Sequence, residues 1–472
     1  MTGYVPPPGS IPELPVPDLA GLRSAHLVGI GGAGMSGIAR LLLARGVAVS
    51  GSDIKDSPGL ALLRGAGATI AVGHRPENLL SPGAVVVSTA IRPDNPEVLA
   101  AAEREIPVLA RAQVLAALMA ERRGLAVAGT HGKTTTTSMV AVVLEAAGLE
   151  PTYVIGGDLN ESGSNARSGT GDLFVAEADE SDGSFLLLRP EVAVVTNVEE
   201  EHLEFYGSGE ALEAAFIAFC RGAGLVIACA DDEGAMRVAR ESGAELITYG
   251  QADGSDARIV EWSVRGNRWW ARVDLEGSGV ELDLGLPGLH TLSNATAALV
   301  AARAVGVPSA EAVRALSAFT GVRRRFELRG NAAGARFVDD YAHHPTEIAA
   351  TLEAAQRDPS SRRIIAVFQP HRYSRTAALW GALGGSLGKA DVVVVTDVYG
   401  AGEAPVPGVS GKLVLDALVE AHPGVRAVYL PSRVEVAPFL AGEVRDGDLV
   451  LTLGAGDITM VGEETIARMG ER

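Results

Sequence analysis

Residues 128–134, with the sequence AGTHGKT, constrain the fold of this chain more than any other segment. They follow a short apolar run at 124–128 that predicts a buried strand. They precede residues 138–148, whose apolar pattern predicts a helix closed by a glycine. A glycine-rich turn between a strand and a helix points backbone N–H groups at a phosphate, and the following lysine and hydroxyl residue serve the phosphate charge and its magnesium ion. The segment therefore predicts an α/β domain that binds a nucleoside triphosphate.

The spacing of this turn differs from the common phosphate-loop pattern, which places its first glycine where this chain has Val127. An ordinary glycine-rich turn with a surface lysine is the alternative interpretation. The scarcity of lysine argues against it, because the chain has four lysines among its 40 Lys and Arg residues. A compact ammonium suits a phosphate as a point charge, so the presence of Lys133 in this turn favours phosphate binding.

Composition excludes several classes of protein. A length of 472 residues predicts two to four domains, and a net charge of −18 argues against a general binder of nucleic acid or membrane surfaces. Cys220 and Cys229 give neither a disulfide framework nor a metal-binding spacing, and their apolar contexts predict buried thiols. Small-molecule substrates are the expected partners, with no nucleic acid or membrane, and we expect a monomer or a weak homodimer.

The ends of the chain and its apolar runs bear on localisation. Residues 1–20 are rich in proline and lack a cationic start and an apolar stretch, so they predict a disordered lead-in and not a signal peptide. No apolar run reaches the roughly 18 residues of a membrane-spanning helix. These features predict a cytoplasmic protein.

Three strand–helix regions follow one another along the chain, which predicts an α/β protein of three domains. Residues 21–120 predict a Rossmann-like domain with a parallel sheet. Residues 121–321 predict a central domain like that of phosphate-loop ATPases, with an antiparallel insert at 257–286, where apolar and polar residues alternate between turns. Residues 322–472 predict a second Rossmann-like domain.

The first region carries its own glycine loop. Gly29, Gly31 and Gly34 match the spacing G-x-G-x-x-G between a strand and a helix, and Asp53 ends the next strand, where a ribose-binding acid is expected. Alone, this pattern indicates NAD, although the same loop holds any pyrophosphate. Ser88 and Thr89, after the third strand, provide a further turn that can face a phosphate.

Acidic and histidine residues end two strands of the central region. Residues 177–182 (EADESD) follow one strand, and residues 197–202 (NVEEEH) follow another. Since ligands bind at the carboxyl ends of strands in such sheets, both segments are expected to converge on the phosphate loop. Carboxylates at this place suit a magnesium ion, whereas His202 is an unusual ligand for so hard a cation.

Histidines and arginines mark strand ends in the third region. Residues 339–346 (DDYAHHPT) and 369–376 (QPHRYSRT) each lie where a strand ends and a helix begins. Arg372 and Arg375 are three residues apart, so both can face one carboxylate from a first helical turn. A pair of ordinary surface arginines is the alternative. Seven of the nine histidines occupy such loop positions, and His26 and His422 are interpreted as incidental.

The order of these motifs resembles the Mur ligase family, and the resemblance covers roughly residues 25–460. It rests on the phosphate loop, DESD at 179–182, NVEEEH at 197–202, His290 with Asn294, RFE at 325–327, DYAHHP at 340–345 and QPHRYSR at 369–375. The N-terminal GIGGAGMSG and the doubled histidine are similar to the member that acts first. The resemblance implies a three-domain ligase that uses ATP to join L-alanine to the lactyl carboxylate of UDP-N-acetylmuramate through an acyl phosphate.

The resemblance also implies roles for individual residues. ATP would be bound by Gly129, Thr130, His131, Gly132, Lys133, Thr134, Thr135, Asn294, Arg325 and Asp340, and magnesium by Thr134, Glu177 and His202. The UDP-sugar would be bound by Gly31, Gly32, Ala33, Gly34, His74, Ser88, Thr89, Arg111 and His131. The amino acid would be bound by Tyr341, His343, Arg372 and Arg375, and catalysis would depend on Lys133, Glu177, His202, Arg325 and His343.

Several alternatives stay open from the sequence. The general base is not evident, with His202 and His343 as candidates and an amine delivered already neutral as a third possibility. A ligase that attaches a preformed tripeptide to the same sugar nucleotide has very similar motifs. An NAD-dependent oxidoreductase is more remote, since it leaves the motifs around Lys133 and Arg372 unexplained. A non-enzymatic nucleotide switch is the third alternative, and the acidic and histidine residues at the strand ends favour chemistry over it.

Overall fold

The structure is a computed structural model, and it describes residues 14–470. Most of the predicted lead-in, residues 1–13, lies outside the described residues. The part that is described is anchored, because the Gln113 side-chain amide donates to the Pro15 carbonyl over 2.8 Å and Leu19 is buried.

The first sheet has five parallel strands in the order β3-β2-β1-β4-β5, as the Rossmann-like prediction requires. The order reverses between β1 and β4, which is where open sheets of this class bind ligands. Its strands are β1 (Ser24–Val28), β2 (Ala48–Asp53), β3 (Thr69–Val72), β4 (Ala84–Val87) and β5 (Val108–Ala110). Its helices are α1 (Ala33–Ala44), α2 (Pro58–Gly65), α3 (Pro96–Glu103) and α4 (Arg111–Ala120).

The second sheet has ten strands in the order β15-β14-β13-β12-β11-β10-β6-β9-β7-β8. The strands β6, β9, β10 and β11 agree with the apolar runs of the sequence. The strands up to β12 are β6 (Arg123–Ala128), β7 (Thr152–Val154), β8 (Ala166–Arg167), β9 (Leu173–Glu177), β10 (Val192–Val195), β11 (Leu225–Cys229) and β12 (Glu245–Gly250). The helices are α5 (Lys133–Ala146), α6 (Leu203–Tyr206), α7 (Gly209–Arg221), α8 (Glu233–Ser242), α9 (Leu289–Ala304) and α10 (Ser309–Ala318).

The predicted antiparallel insert consists of β13 (Ala257–Arg265), β14 (Arg268–Leu275) and β15 (Ser278–Leu284). Two-residue turns join these neighbouring strands, which makes them antiparallel hairpins. Gly266 and Gly277 have positive φ angles of 64° and 77° in the turns. Because β13 pairs in parallel with β12, the insert continues the central sheet instead of forming a sheet of its own.

The third sheet has six strands in the order β16-β17-β21-β18-β19-β20, and its β16 pairs antiparallel with β17. Residues on β18 alternate between two buried clusters, with Ile364 and Phe368 in one and Ile365 in the other, so both faces are covered. The strands are β16 (Glu327–Ala332), β17 (Ala335–Asp340), β18 (Arg363–Phe368), β19 (Val392–Val395), β20 (Arg426–Tyr429) and β21 (Asp448–Leu453). The helices are α11 (Pro345–Gln356), α12 (Tyr373–Ser386), α13 (Gly411–Ala421), α14 (Val436–Glu443) and α15 (Val461–Gly470).

Contacts within the chain divide it into two compact units. The first extends to Glu261 and includes Arg272–Glu281 and Ser293–Phe319, and the second comprises Trp262–Ala271, Leu282–Leu292 and the chain from Thr320 onward. The first sheet and most of the central sheet therefore share one unit. Within residues 14–470, no helix is both long and apolar enough to cross a bilayer.

Candidate active site

The phosphate loop connects β6 to α5 and has the predicted strand–turn–helix context. Gly129 and Gly132 have φ angles of 133° and 81°, which favour glycine, and α5 begins at Lys133. A Cβ atom on Gly129 would collide with the Thr196 hydroxyl and the backbone of Asn197. The loop is thus shaped so that the N-terminal N–H groups of α5 face an anion.

The end of β10 holds this loop in place. The Asn197 side chain accepts a hydrogen bond from the His131 N–H over 2.8 Å and donates to the His131 carbonyl over 3.1 Å. The Thr196 hydroxyl donates to the same carbonyl over 2.5 Å, and the Thr130 hydroxyl accepts from the Glu199 N–H over 2.9 Å. Residues that follow β6 and residues that follow β10, far apart in sequence, are therefore held together by hydrogen bonds.

Lys133 lies inside the loop and faces a buried carboxylate. Its Nζ atom donates to the Gly129 and Thr130 carbonyls over 2.5 and 3.1 Å and lies 2.9 and 2.8 Å from the two Glu180 carboxylate oxygens. Burial lowers the pKa of Lys133, but Glu180 and Asp179 outweigh it and raise that pKa. The lysine is therefore held as an ammonium at the point where phosphate charge is expected.

Oxygen donors that suit magnesium lie next to this ammonium. The Thr134 hydroxyl donates to Glu177 over 3.1 Å, and the other carboxylate oxygen of Glu177 accepts from the Gly156 N–H over 2.8 Å. Ligand atoms of Glu180, Glu201 and His202 lie within 4.8 Å of one another. Hydroxyl and carboxylate oxygens are what a hard cation prefers, so Thr134 and Glu177 fit magnesium better than the imidazole does.

Asn294 approaches the loop from α9, within the same unit. A Cβ atom on Gly132 would lie 2.8 Å from the Asn294 Oδ1 atom, and Asn294 is buried. This predicted ATP residue therefore contacts the phosphate loop itself. Thr135, another predicted ATP residue, lies in the first turn of α5.

In the first sheet, Asp53 is occupied by the glycine loop. Its Oδ2 atom accepts from the Gly31 N–H over 2.9 Å and its Oδ1 atom from the Ile54 N–H over 2.8 Å. Both carboxylate oxygens thus have backbone partners, so Asp53 orders the glycine loop. Gly32 precedes α1, and a Cβ atom on Gly34 would collide with the Arg111 guanidinium.

Two polar contacts join this glycine-loop region to the central sheet within the first unit. The Arg111 guanidinium lies 3.9 Å from the Asp179 carboxylate, and the Thr89 hydroxyl donates to Asp182 over 3.2 Å. The Ser88 backbone carbonyl accepts from the Ile91 N–H over 3.0 Å, which closes a turn that contains Thr89. The predicted sugar-nucleotide residues Thr89 and Arg111 therefore contact the acidic segment beside Lys133.

In the second unit, Arg325 and Tyr341 lie beside Asp340. The Arg325 guanidinium is 5.1 Å from the centre of the Tyr341 ring and 3.5 Å from Glu347. Asp340 accepts from the backbone N–H groups of Phe326 and Ala342, each over 2.8 Å. Burial raises the pKa of Asp340 to about 6, although Arg325 and these two N–H groups act in the opposite direction.

The predicted amino-acid residues also lie close together in the second unit. The His343 ring is 5.3 Å from the Tyr341 ring and 5.7 Å from the His371 ring, and Arg375 lies 3.5 Å from the His371 Nδ1 atom. Burial lowers the pKa of His371 to about 3, with His343 and the nearby arginines adding to the effect. Arg372 has a φ angle of 66°, a strained value for a residue with a side chain.

Several residues of this site have no role in the sequence prediction. Glu180 and Asn197 lie within predicted motifs, so their position gave a signal. Tyr399 gave no such signal. Its ring stacks on that of His371, with the ring centres 5.8 Å apart, although the two residues follow different strands. Glu97, which is fully buried near His74, also lacks any local signal.

Comparisons with known proteins agree with this arrangement. Sequence profiles of the Mur ligase family match in order: its catalytic domain at residues 24–123, its middle domain at 127–302 and its glutamate ligase domain at 324–456. The chain is 52% identical to a UDP-N-acetylmuramate–L-alanine ligase of Saccharopolyspora erythraea, over 95% of this chain and 94% of that one. It is 51% identical to the protein of that name from Kineococcus radiotolerans, over 97% and 98%.

Solved structures give the same result. The UDP-N-acetylmuramate–alanine ligase of Thermotoga maritima superposes with a TM-score of 0.83 at 32% identity, covering 95% of this chain and 99% of that one. A murein peptide ligase from Psychrobacter arcticus superposes with a TM-score of 0.71 at 26% identity, covering 96% and 99%. With three family profiles in order and near-complete coverage by relatives of about half-identical sequence, the chain belongs to the Mur ligase family.

Proposed function

We propose that this protein is an ATP-dependent ligase that joins L-alanine to the lactyl carboxylate of UDP-N-acetylmuramate during peptidoglycan precursor synthesis. The observation that carries the proposal is that Arg111 and Lys133 approach the same acidic segment within the first unit. Arg111, the first residue of α4, lies 3.9 Å from Asp179, while Lys133 of the phosphate loop faces Glu180, the next residue in the chain. This arrangement suits transfer of a phosphoryl group from ATP to the lactyl carboxylate of the sugar nucleotide.

The proposed reaction follows from the low reactivity of a carboxylate toward an amine. The lactyl carboxylate attacks the γ-phosphate of ATP, which gives an acyl phosphate and ADP. The amine of L-alanine then attacks the acyl carbon, and inorganic phosphate leaves from a tetrahedral intermediate as the amide forms. Most of the acceleration comes from positioning and from neutralising phosphate charge.

Lys133 is the proposed centre of phosphate binding. Its ammonium and the N–H groups at the start of α5, including those of Gly132 and Thr134, hold the β- and γ-phosphates. Asn294 is proposed to contact adenine, Arg325 the phosphates and Asp340 the ribose. The support is the contact of Asn294 with the loop and the proximity of Arg325, Tyr341 and Asp340 in the second unit.

Thr134 and Glu177 are proposed to hold magnesium, with His202 as a further ligand beside Glu180 and Glu201. When bound, the ion neutralises phosphate charge as the phosphoryl group moves. Thr134 already donates to Glu177, and the Gly156 N–H fixes the second oxygen of that carboxylate. These contacts keep the oxygen donors in position before any ligand arrives.

The glycine loop at 31–34, with His74, Ser88, Thr89, Arg111 and His131, is proposed to bind the UDP-sugar. Tyr341, His343, Arg372 and Arg375 are proposed to bind L-alanine, with an arginine on its carboxylate. His343 is the stronger candidate for the general base, because His202 is proposed to be a metal ligand. We also propose that the protein works in the cytoplasm as a monomer or weak homodimer.

The tripeptide ligase is the alternative that comes nearest. Relatives that are about half identical over nearly the whole chain are L-alanine ligases by name, whereas the murein peptide ligase of known structure is 26% identical. The oxidoreductase interpretation is weaker still. It leaves the Lys133 site without a purpose.

The deciding experiment measures phosphate release from ATP with UDP-N-acetylmuramate and magnesium, with either L-alanine or L-Ala-D-Glu-diaminopimelate added. Release that depends on L-alanine is the expected result. Release only with the tripeptide makes the protein a recycling ligase. Release with neither compound overturns the assignment as a ligase of this sugar nucleotide.

A further inference from the structure

A buried polar network lies under the sugar-nucleotide side of the first sheet. Its centre is Glu97 in the first turn of α3, whose side chain has no exposed surface. The Oε1 atom of Glu97 accepts from the Arg75 N–H over 3.1 Å and from the Asn78 amide over 2.5 Å. Its Oε2 atom accepts from the Ser52 hydroxyl over 2.5 Å and lies 3.4 Å from the His26 Nε2 atom.

These donors keep Glu97 ionised. Burial alone would raise its pKa, but the hydrogen bonds from His26, Ser52, Asn78 and the Arg75 backbone outweigh burial and lower the pKa to about 2. Its position in the first turn of a helix further favours the charge. Glu97 is therefore a carboxylate that only accepts hydrogen bonds.

Ser52 connects this carboxylate to two parts of the proposed sugar-nucleotide site. Its backbone carbonyl accepts from the N–H groups of Gly29 and Ile30 over 2.8 and 3.0 Å, which fixes the start of the glycine loop. Its hydroxyl lies 2.8 Å from the Nδ1 atom of His74. One residue at the end of β2 thus touches the loop, the carboxylate and the histidine.

The direction of these hydrogen bonds sets the tautomer of His74. The Ser52 hydroxyl has one proton, and the ionised Glu97 takes it. The contact between Ser52 and His74 is then a hydrogen bond only if Nδ1 of His74 carries a proton and donates. Nε2 forms no hydrogen bond with any residue in the described part of the chain, and the His74 side chain is partly exposed.

We propose that Glu97 is a positioning residue for sugar-nucleotide binding. Through Ser52, and through its own Oε2 atom 3.5 Å from Nδ1 of His74, it keeps that Nδ1 atom protonated and the Nε2 atom directed at the ligand. This inference rests on the proposed function, because it takes His74 as a ligand contact. Glu97 itself touches neither substrate nor reacting atoms. His26, set aside on its sequence context, supports the carboxylate from the opposite side.

Glu97→Gln is expected to reverse the hydrogen bonds that run from residue 97 through Ser52 to His74, which we call the relay. Its side-chain oxygen must face the two pure donors, the Arg75 N–H and the Asn78 amide, so its NH₂ group faces Ser52. Ser52 then accepts from this amide and turns its own proton toward His74. The Nδ1 atom of His74 becomes an acceptor and the proton moves to Nε2.

The first test reads this tautomer in the full-length, ligand-free protein labelled with ¹⁵N-histidine. The His74 ring is assigned by its absence in His74→Asn, and its nitrogen shifts report which atom is protonated. We expect a proton on Nδ1 in the wild type and on Nε2 in Glu97→Gln. An Nε2 proton in the wild type, or no change in Glu97→Gln, overturns the relay.

The second test measures binding of UDP-N-acetylmuramate by calorimetry. We expect Glu97→Gln to raise its Kd about tenfold, in line with loss of one oriented hydrogen bond to a charged ligand, and to leave the KM for ATP unchanged. His74→Asn keeps a donor toward Ser52 and lacks Nε2, so it should match Glu97→Gln. Because the residues act in series, the double variant should bind no more weakly than His74→Asn. Additive losses contradict the proposal.

Ser50→Ala is the matched control, because Ser50 lies 2.9 Å from Nδ1 of His26 on the far side of Glu97 and has no contact with His74 among the described residues. Its Kd should stay within about twofold of the wild type; a tenfold loss would mean that general loosening explains the effect. If Glu97→Gln does not fold, Ser52→Ala replaces it in the binding test, with an expected loss in the same direction because the 2.8 Å contact to Nδ1 of His74 is removed. A wild-type protein inactive with UDP-N-acetylmuramate and L-alanine contradicts the proposed function, whereas the ligand-free tautomer still decides the relay.

Discussion

Lys133 and Glu180 form an ion pair inside the phosphate loop, with Nζ 2.8 Å from Oε2 and the Glu180 side chain 2% exposed. The pair joins a residue proposed to bind ATP to the acidic segment that follows β9. Each partner is the main charge that compensates the other in a buried site. Structural and catalytic effects of Lys133 are therefore mixed in any single substitution, and a double variant separates them.

Lys133→Ala is expected to abolish phosphate release and to lower the free energy of unfolding by about 3 kcal/mol, because a buried carboxylate loses its partner. Lys133→Ala with Glu180→Gln removes both charges and should recover most of that stability without recovering activity. Activity is measured as phosphate release and stability by urea unfolding. UDP-N-acetylmuramate binding should survive in the double variant. Restored turnover there would remove Lys133 from the catalytic site.

Gly129→Ala is expected to raise the KM for ATP strongly, because the new Cβ atom would collide with Thr196 and Asn197 and displace the loop. Gly148→Ala is the matched control. Gly148 also has a positive φ angle, 73°, but no atom lies within 4 Å of the position that a Cβ atom would take there. Gly148→Ala should lose roughly 1 kcal/mol of stability through backbone strain, and Gly129→Ala should lose more because the collision adds to the strain. Equal KM values for ATP would contradict the role of the loop.

Arg372→Ala is expected to raise the KM for L-alanine far more than the KM for ATP, because its proposed partner is the amino acid carboxylate. Arg372→Gly should have the same kinetic defect and yet be roughly 1 kcal/mol more stable than Arg372→Ala, since glycine adopts a φ angle of 66° without strain. Steady-state kinetics and thermal unfolding measure the two effects. A similar rise in both KM values would exclude Arg372 from the amino acid site.

Asp340 is expected to make the stability of the protein depend on pH. Its pKa is raised from 3.8 to about 6 in the folded protein, so its protonated form is favoured by folding. The stabilisation is complete below pH 3.8 and is lost as the pH rises through 6, by up to about 3 kcal/mol. The unfolding free energy of the wild type minus that of Asp340→Asn should therefore fall between pH 4 and 7. A difference that rises with pH would refute this.

The sheets were predictable where strands are continuous apolar runs. Val192–Val195 and Val392–Val395 are buried on both faces, and such runs predict central parallel strands directly. Short edge strands such as Thr69–Val72, with partly exposed residues, do not stand out from loops. The attachment of the insert to β12 was not predictable either, because alternation fixes which residues share a face but not which strand is the neighbour.

The candidate site divides in the same way. Five predicted site residues lie at or just after strand ends, and parallel topology alone brings the strand ends of each sheet to one edge of that sheet. They are Lys133, Thr134 and Glu177 in the central sheet, and His343 and Arg372 in the third sheet. The proposed roles of these residues stay predictions. The position of Asp53 was predictable, but its engagement by the Gly31 N–H depends on how the loop turns.

The sequence by itself determined the three successive α/β regions, the two glycine loops and the family, because each is encoded in short stretches whose periodicity or spacing is local. Only the tertiary structure decided that Glu97 lies between His26 and Ser52, 71 and 45 positions away, and that Glu180 closes on Lys133. Burial and charge compensation act through space among side chains from different elements, so no local pattern encodes them.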